Sequence, residues 1–277
     1  TFCLLFENLS RIRIMFLLCT ILMLLSRSVR GYTVGFSYSV AGLLFPYHAG
    51  VTHKLRETGH LLPSTPLNGA SGGALAAACA SSVTTDAALA SSLRISARCT
   101  SEGSFLRLGG ILRDELATMC TDDMVSALNA RPVPVEFLYT SAPGLQPRRG
   151  GPPFDSPGEL IDVLAASCHI PLYSGPVPVA VVRGEWGVDG FLAAPGALGC
   201  RPARGADGTV FCTPFASLGS GAGVIAPLPE EIPFTPEEYV ALALGRPGPD
   251  KEQHEVLFEL GVKCAARWID GAGTASK

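Results

Sequence analysis

Residues Pro66 to Ala80 read PLNGASGGALAAACA, and the change of character inside this stretch decides the fold. A short strand-like piece, Pro66 to Asn68, passes through Gly69-Ala70-Ser71-Gly72-Gly73 into the alanine-rich run Ala74 to Ala80, whose small side chains suit close packing of a helix on a sheet. The five central residues fit G-x-S-x-G, in which flanking glycines let a sharp strand-to-helix turn push the serine hydroxyl out of the backbone. A helix that starts directly after Ser71 aims its unpaired N–H groups and positive dipole end at an oxyanion or a phosphate. The pentapeptide alone is weak, because glycine and serine are common here and a plain Gly-rich turn competes, so the neighbouring sequence has to decide.

The preceding cycle has the same form. Residues 32 to 38, YTVGFSY, read as a first strand, and a helix is expected from about Leu43 to Thr58, because Leu44, Tyr47, Val51 and Leu55 recur at three- and four-residue steps before Gly59. Between them Val40-Ala41-Gly42 makes a tight turn whose backbone amides are candidate oxyanion donors. Downstream, Val133, Val135, Phe137 and Tyr139 alternate as in a half-buried strand, and Leu160, Val163 and Leu164 fit a helix ending near Cys168. Pro178 to Val182 and Gly184 to Val188 read as strands leading to Asp189, in the motif Trp186-Gly187-Val188-Asp189-Gly190-Phe191. The Pro- and Gly-rich stretch Pro143 to Gly158, with Arg148 and Arg149, reads as a surface loop, with a lid or lipid-facing role as the alternative. Pro249 to Asp270 reads as one amphipathic helix. Strand and helix alternating in this way predict an α/β domain with a largely parallel sheet, and neither an internal repeat nor a second boundary interrupts residues 31 to 277.

Composition agrees with one globular body: of 277 residues 47% are hydrophobic and 16% charged. A net charge of -3 gives no basic field for nucleic acid. The mean hydropathy of +0.32 is high, and the apolar leader explains part of it. Ile14 to Leu25 is almost wholly apolar between arginines at 11, 13, 27 and 30, so residues 1 to 30 are expected to target or anchor the chain, although the run is short of the roughly 20 residues of a full span. The nine cysteines contain no C-x-x-C pair and are expected to be mostly free, buried thiols. No histidine spacing offers a metal site. Among the histidines, His48 is expected to be packed, His169 to shape a site wall and His254 to be solvated on a polar helix face; Gly219 to Gly223 reads as a flexible turn without the P-loop lysine.

FSYSVAGLLFPYHAGV, NGASGGALAAA, ASCHIPLYSGP and WGVDGF, in this order, resemble the patatin-like phospholipase family from residue 34 to about 195. The resemblance implies a three-layer α/β/α fold with a largely parallel central sheet. It also implies a serine and aspartate dyad that hydrolyses acyl esters of phospholipids, galactolipids or acylglycerols through an acyl-enzyme, needing no metal or organic cofactor. By position, Ser71 matches the family nucleophile and Asp189 its aspartate. Gly69, Ala70, Gly72 and Gly73 build the elbow, and Gly190 and Phe191 complete the aspartate motif. Val40-Ala41-Gly42 stands where the family has G-G-G or G-x-G, and Phe191 where it has a small residue, so that Phe191 either crowds the turn or lines an acyl groove. The implied partner is lipid at a membrane or lipid-droplet surface; protein partners are not indicated. A soluble esterase or thioesterase, and a catalytically silent lipid-binding domain, are the alternative readings.

Overall fold

The computed structural model describes residues 33–219 and 221–275; the leader with Ile14 to Leu25, together with Cys3, Cys19 and Ser220, lies outside the described residues. From Val34 onward the chain forms one compact unit. In order it runs β1 (Val34–Tyr38), α1 (Phe45–Glu57), β2 (Leu67–Ala70), α2 (Gly72–Ser82), α3 (Thr85–Glu102), α4 (Leu108–Met119), α5 (Asp122–Asn129), β3 (Val135–Ala142), β4 (Gln146–Gly150), α6 (Pro157–Ser167), β5 (Ala180–Val182), β6 (Glu185–Asp189), β7 (Gly208–Cys212), β8 (Val224–Ile225), α7 (Pro236–Leu244) and α8 (Lys251–Ala275). Helix starts follow local chemistry: the side chains of Thr84, Thr121 and Ser156 each accept a backbone N–H of their own first turn, and Thr235 with Glu238 forms a capping box.

The sheet is mixed and mostly parallel, in the order β5-β6-β3-β2-β1-β7-β8, with β4 paired to β3, and helices flank it in a three-layer α/β/α arrangement. β3, β2, β1, β7 and β8 run parallel, while β4, β5 and β6 join antiparallel. The register on β3 does the positioning. Leu138 pairs with Ala70 of β2, and the next residue, Tyr139, pairs with Asp189 of β6. β4 pairs with both of these β3 residues as well, so β2 and β6 share the opposite edge of β3 and meet end to end. The residue after Ala70 is Ser71, so the topology alone delivers Ser71 and Asp189 to one point.

Two readings of the sequence change here. β3 is buried on both faces, not half-buried, because strands occupy both its edges and helices cover it. Pro143 to Gly158 is not one loop: it contains β4, and α6 begins at Pro157. Arg148 and Arg149 are engaged by Glu185 and Glu136. The core gathers Phe36, Tyr38, Tyr47, Leu67 and Phe137, all essentially without exposure, each worth about 1.5–3 kcal/mol of burial for an aliphatic or aromatic side chain.

Candidate active site

Ser71 lies between β2 and α2 with φ 55 and ψ -129, a left-handed conformation that a residue bearing a Cβ adopts only when its surroundings enforce it. Three features enforce it. A Cβ on Gly69 would stand 2.0 Å from Gly73 O, so strand and helix approach more closely than any other residue allows. The Ser71 amide donates to Ser167 Oγ at 2.9 Å, and Ser167 Oγ donates to Leu138 O at 2.6 Å, tying the elbow through the last residue of α6 to the central strand. Ser71 O accepts from Ala74 and Leu75, starting α2.

Asp189 ends β6. Its amide donates to His169 O at 2.8 Å, its carbonyl accepts from Thr140 Oγ1 at 2.9 Å, and its Oδ1 accepts from Phe191 N at 2.9 Å. The carboxyl group is buried, which raises its pKa to about 6, against the lowering effects of the Phe191 amide and the Ser71 hydroxyl. A carboxylate with that proton affinity, close enough to the Ser71 hydroxyl to be influenced by it, is suited to accept its proton near neutral pH. The Cys168 thiol lies against the same pair; burial and the charge of Asp189 push its pKa far up, so it remains a neutral thiol.

In the loop after β1, Gly42 has φ 54, and a Cβ there would stand 2.0 Å from Ala243 O, so glycine is required twice over. The Val40 amide already donates to Leu198 O at 2.9 Å, which removes it from the three candidate oxyanion donors. The Ala41 and Gly42 amides make no such bond among the described residues. Gly42 N would lie 3.1 Å from a Cβ on Gly72, which puts this loop directly against the elbow. Phe191 is half-buried and contributes its amide to Asp189, and it is not among the residues lining the cavity described next.

Ser71 opens onto a cavity walled by α2, α3, α4 and α5. Leu75, Ala78, Ile95, Leu112, Leu116, Met119 and Met124 make it apolar. Its polar members are engaged elsewhere: Ser91 Oγ and Arg94 Nε each donate to Glu115 Oε1 at 2.9 Å, and Ser92 Oγ is 3.1 Å from His254 Nε2. Ser71 and Cys79 both line it, eight residues apart on α2, which is about 12 Å of helix rise.

No histidine lines this cavity. His48 is packed as expected, edge-on to Tyr38 and Tyr47 with Nε2 3.0 Å from Ser39 O, and burial lowers its pKa to about 4. His254 is not solvated: it is buried against α3, held by Ser92 and by Asp250 O at 2.8 Å from Nδ1. The His169 imidazole is 3.0 Å from Val177 O and outside the cavity, so its contribution to the site is its carbonyl. All seven described cysteines are free thiols. Among the described residues no three His, Cys, Asp or Glu side chains converge as a metal-binding group, and no helix is long and apolar enough to cross a membrane.

A three-layer α/β/α fold with a serine at a strand-to-helix elbow above an apolar cavity is an arrangement found in the broad class of acyl hydrolases. Within it the chain belongs to the patatin-like phospholipase family, whose model matches residues 41–197, more than half its length. Among solved structures it is similar to VipD from Legionella pneumophila, with a TM-score of 0.55 and 12% identity over 87% of this chain and 67% of that one, a likeness of fold. No curated protein matches it.

Proposed function

We propose that the protein hydrolyses acyl esters of phospholipids, galactolipids or acylglycerols with Ser71 as nucleophile and Asp189 as base. The observation that carries this reading is a serine held at φ 55 beside a buried carboxylate of raised proton affinity, at one end of an apolar cavity. The acyl chain lies in the cavity and brings its ester carbonyl to Ser71. Asp189 takes the hydroxyl proton as Oγ adds to the carbonyl carbon. The amides of Ala41 and Gly42, with the start of α2, face the oxygen that becomes negative. Collapse breaks the bond to the alcohol, which leaves with the proton from Asp189. Water, deprotonated by Asp189, then adds to the acyl-enzyme, and the fatty acid departs as Ser71 recovers its proton. The leader with Ile14 to Leu25 targets or anchors the chain to a membrane or lipid-droplet surface in this reading.

The test is release of fatty acid from mixed phospholipids, galactolipids and triacylglycerols, with Ser71→Ala as blank. Release by the wild type and none by the variant is the expected result. Hydrolysis confined to monomeric, water-soluble esters would replace a lipid hydrolase by a soluble esterase. Lipid binding without release from any substrate would replace it by a silent domain.

A further inference from the structure

Three large apolar side chains stand in water beside the cavity: Phe105 and Leu106, between α3 and α4, and Leu172, after α6, are 57%, 40% and 58% exposed. Leu106 and Leu172 have φ 59 and 58, so two exposed leucines hold a strained left-handed backbone. The two loops are stitched together, Leu106 N donating to Tyr173 O at 2.7 Å and Gly109 N to Ser174 O at 2.8 Å. Tyr173 is their post. Its hydroxyl donates to Leu244 O at 2.7 Å, accepts from Arg246 Nε at 2.8 Å and is 2.7 Å from Ser104 Oγ.

The Arg246 guanidinium lies 4.5 Å from the Tyr173 ring centroid and 5.4 Å from that of Phe105. It is exposed and makes no ion pair with a described carboxylate. This rim is continuous with the site. Leu106 is two residues from Leu108 and Leu172 two from Ile170, both cavity-lining; Arg246 is three from Ala243, which lines the cavity and abuts Gly42. Exposed apolar tips around a cation that makes no ion pair among the described residues, beside a cavity suited to an acyl chain, complement a surface of acyl chains and phosphates.

We propose that Phe105, Leu106 and Leu172, grouped around Arg246, form the face that seats the cavity mouth on a phospholipid surface. The tips enter the outermost acyl layer, and the guanidinium takes a lipid phosphate. The proposal rests on the acyl-hydrolase reading for its purpose, but its test does not require catalysis.

Phe105→Trp in the full chain reports from the rim itself, so a signal from the leader is not mistaken for it. With phosphatidylcholine vesicles its emission, less that of the wild type, should shift to the blue and be quenched by brominated acyl chains, more strongly when anionic phosphatidylglycerol is included. Adding Leu106→Asn and Leu172→Asn, which tolerate the left-handed backbone, should weaken the vesicle response about tenfold or more, since burying a leucine side chain is worth about that factor. Arg246→Gln should remove the preference for anionic vesicles and Arg246→Lys should keep it. Hydrolysis of a soluble short-chain ester should change by less than about twofold in all of these. An unresponsive tryptophan at 105, an undiminished response in the asparagine variants, or a rim that instead holds two copies of the chain together in solution, overturns the proposal. Absence of ester hydrolysis in the wild type would count against the functional reading while leaving the vesicle result to decide this one.

Discussion

Folding moves the Asp189 proton affinity up, from the usual 3.8 to about 6, because the carboxylate loses water that the Phe191 amide and the nearby Ser71 hydroxyl do not replace. The ionisation penalty is absent below about pH 4, where the group is protonated folded and unfolded, and is complete once pH has risen through about 6. Two predictions result. kcat/KM on a soluble ester should rise with pH through about 6, which a pH–rate profile checks. Asp189→Asn, which cannot ionise, should raise stability by about 3 kcal/mol at pH 8 and by little at pH 4, by denaturant melts, while losing nearly all activity. Ser167 is the residue that sequence reasoning missed. ASCHIPLYSGP contains it, but a hydroxyl that bridges two backbone groups leaves no spacing to read. Ser167→Ala removes the hydroxyl that the Ser71 amide donates to, which should lower stability by about 1–3 kcal/mol in denaturant melts and, by loosening the elbow, lower kcat on a short ester with KM little changed. Ser71 and Asp189 were singled out by the four motifs taken together, since a glycine beside each marks only a turn; the engagement of the Val40 amide was not legible, since only the fold shows Leu198 O consuming it.

At the scale of elements, the strand–elbow–helix around Ser71 was legible from its abrupt change of composition, and α1 from its apolar period. α3, α4 and α5, which wall the cavity, drew no reading. In α3 the inward face carries Ser91 and Ser92, which pair with Glu115 and His254, and Ser96, whose buried hydroxyl has no hydrogen-bond partner among the described residues, so the apolar period is diluted. β4 reads QPRRG and looks like a loop; pairing with β3 and ion pairs with Glu185 and Glu136 override that preference. His254 sits in the polar run KEQHE and is buried because the start of α8 packs on α3. If α2 to α5 hold the acyl chain, Met124→Trp should shift preference toward chains several carbons shorter while a short ester is still cleaved. An unchanged chain-length profile in a folded variant would remove the acyl chain from this cavity.

For the whole molecule, the alternation of strands and helices gave the class of fold, but not the shared edge of β3 where β2 and β6 meet, because register is settled by long-range pairing. That junction explains how residues 118 positions apart in sequence act together. Deleting residues 1 to 30 should leave the unit from Val34 onward folded, by circular dichroism and thermal melting, yet change partitioning between membrane and soluble fractions; an identical distribution would end the targeting reading.

The dyad itself is tested most directly by the rate at which an alkyl fluorophosphonate forms an adduct, with the modified residue located by peptide mass mapping. One adduct is expected, on Ser71, forming faster as pH rises through about 6 and slowed at least about a hundredfold in Asp189→Asn, with His48→Ala and His254→Ala labelled at near wild-type rates when folded. An adduct elsewhere, or labelling of Ser71 that is indifferent to Asp189→Asn but abolished by His254→Ala, would contradict it.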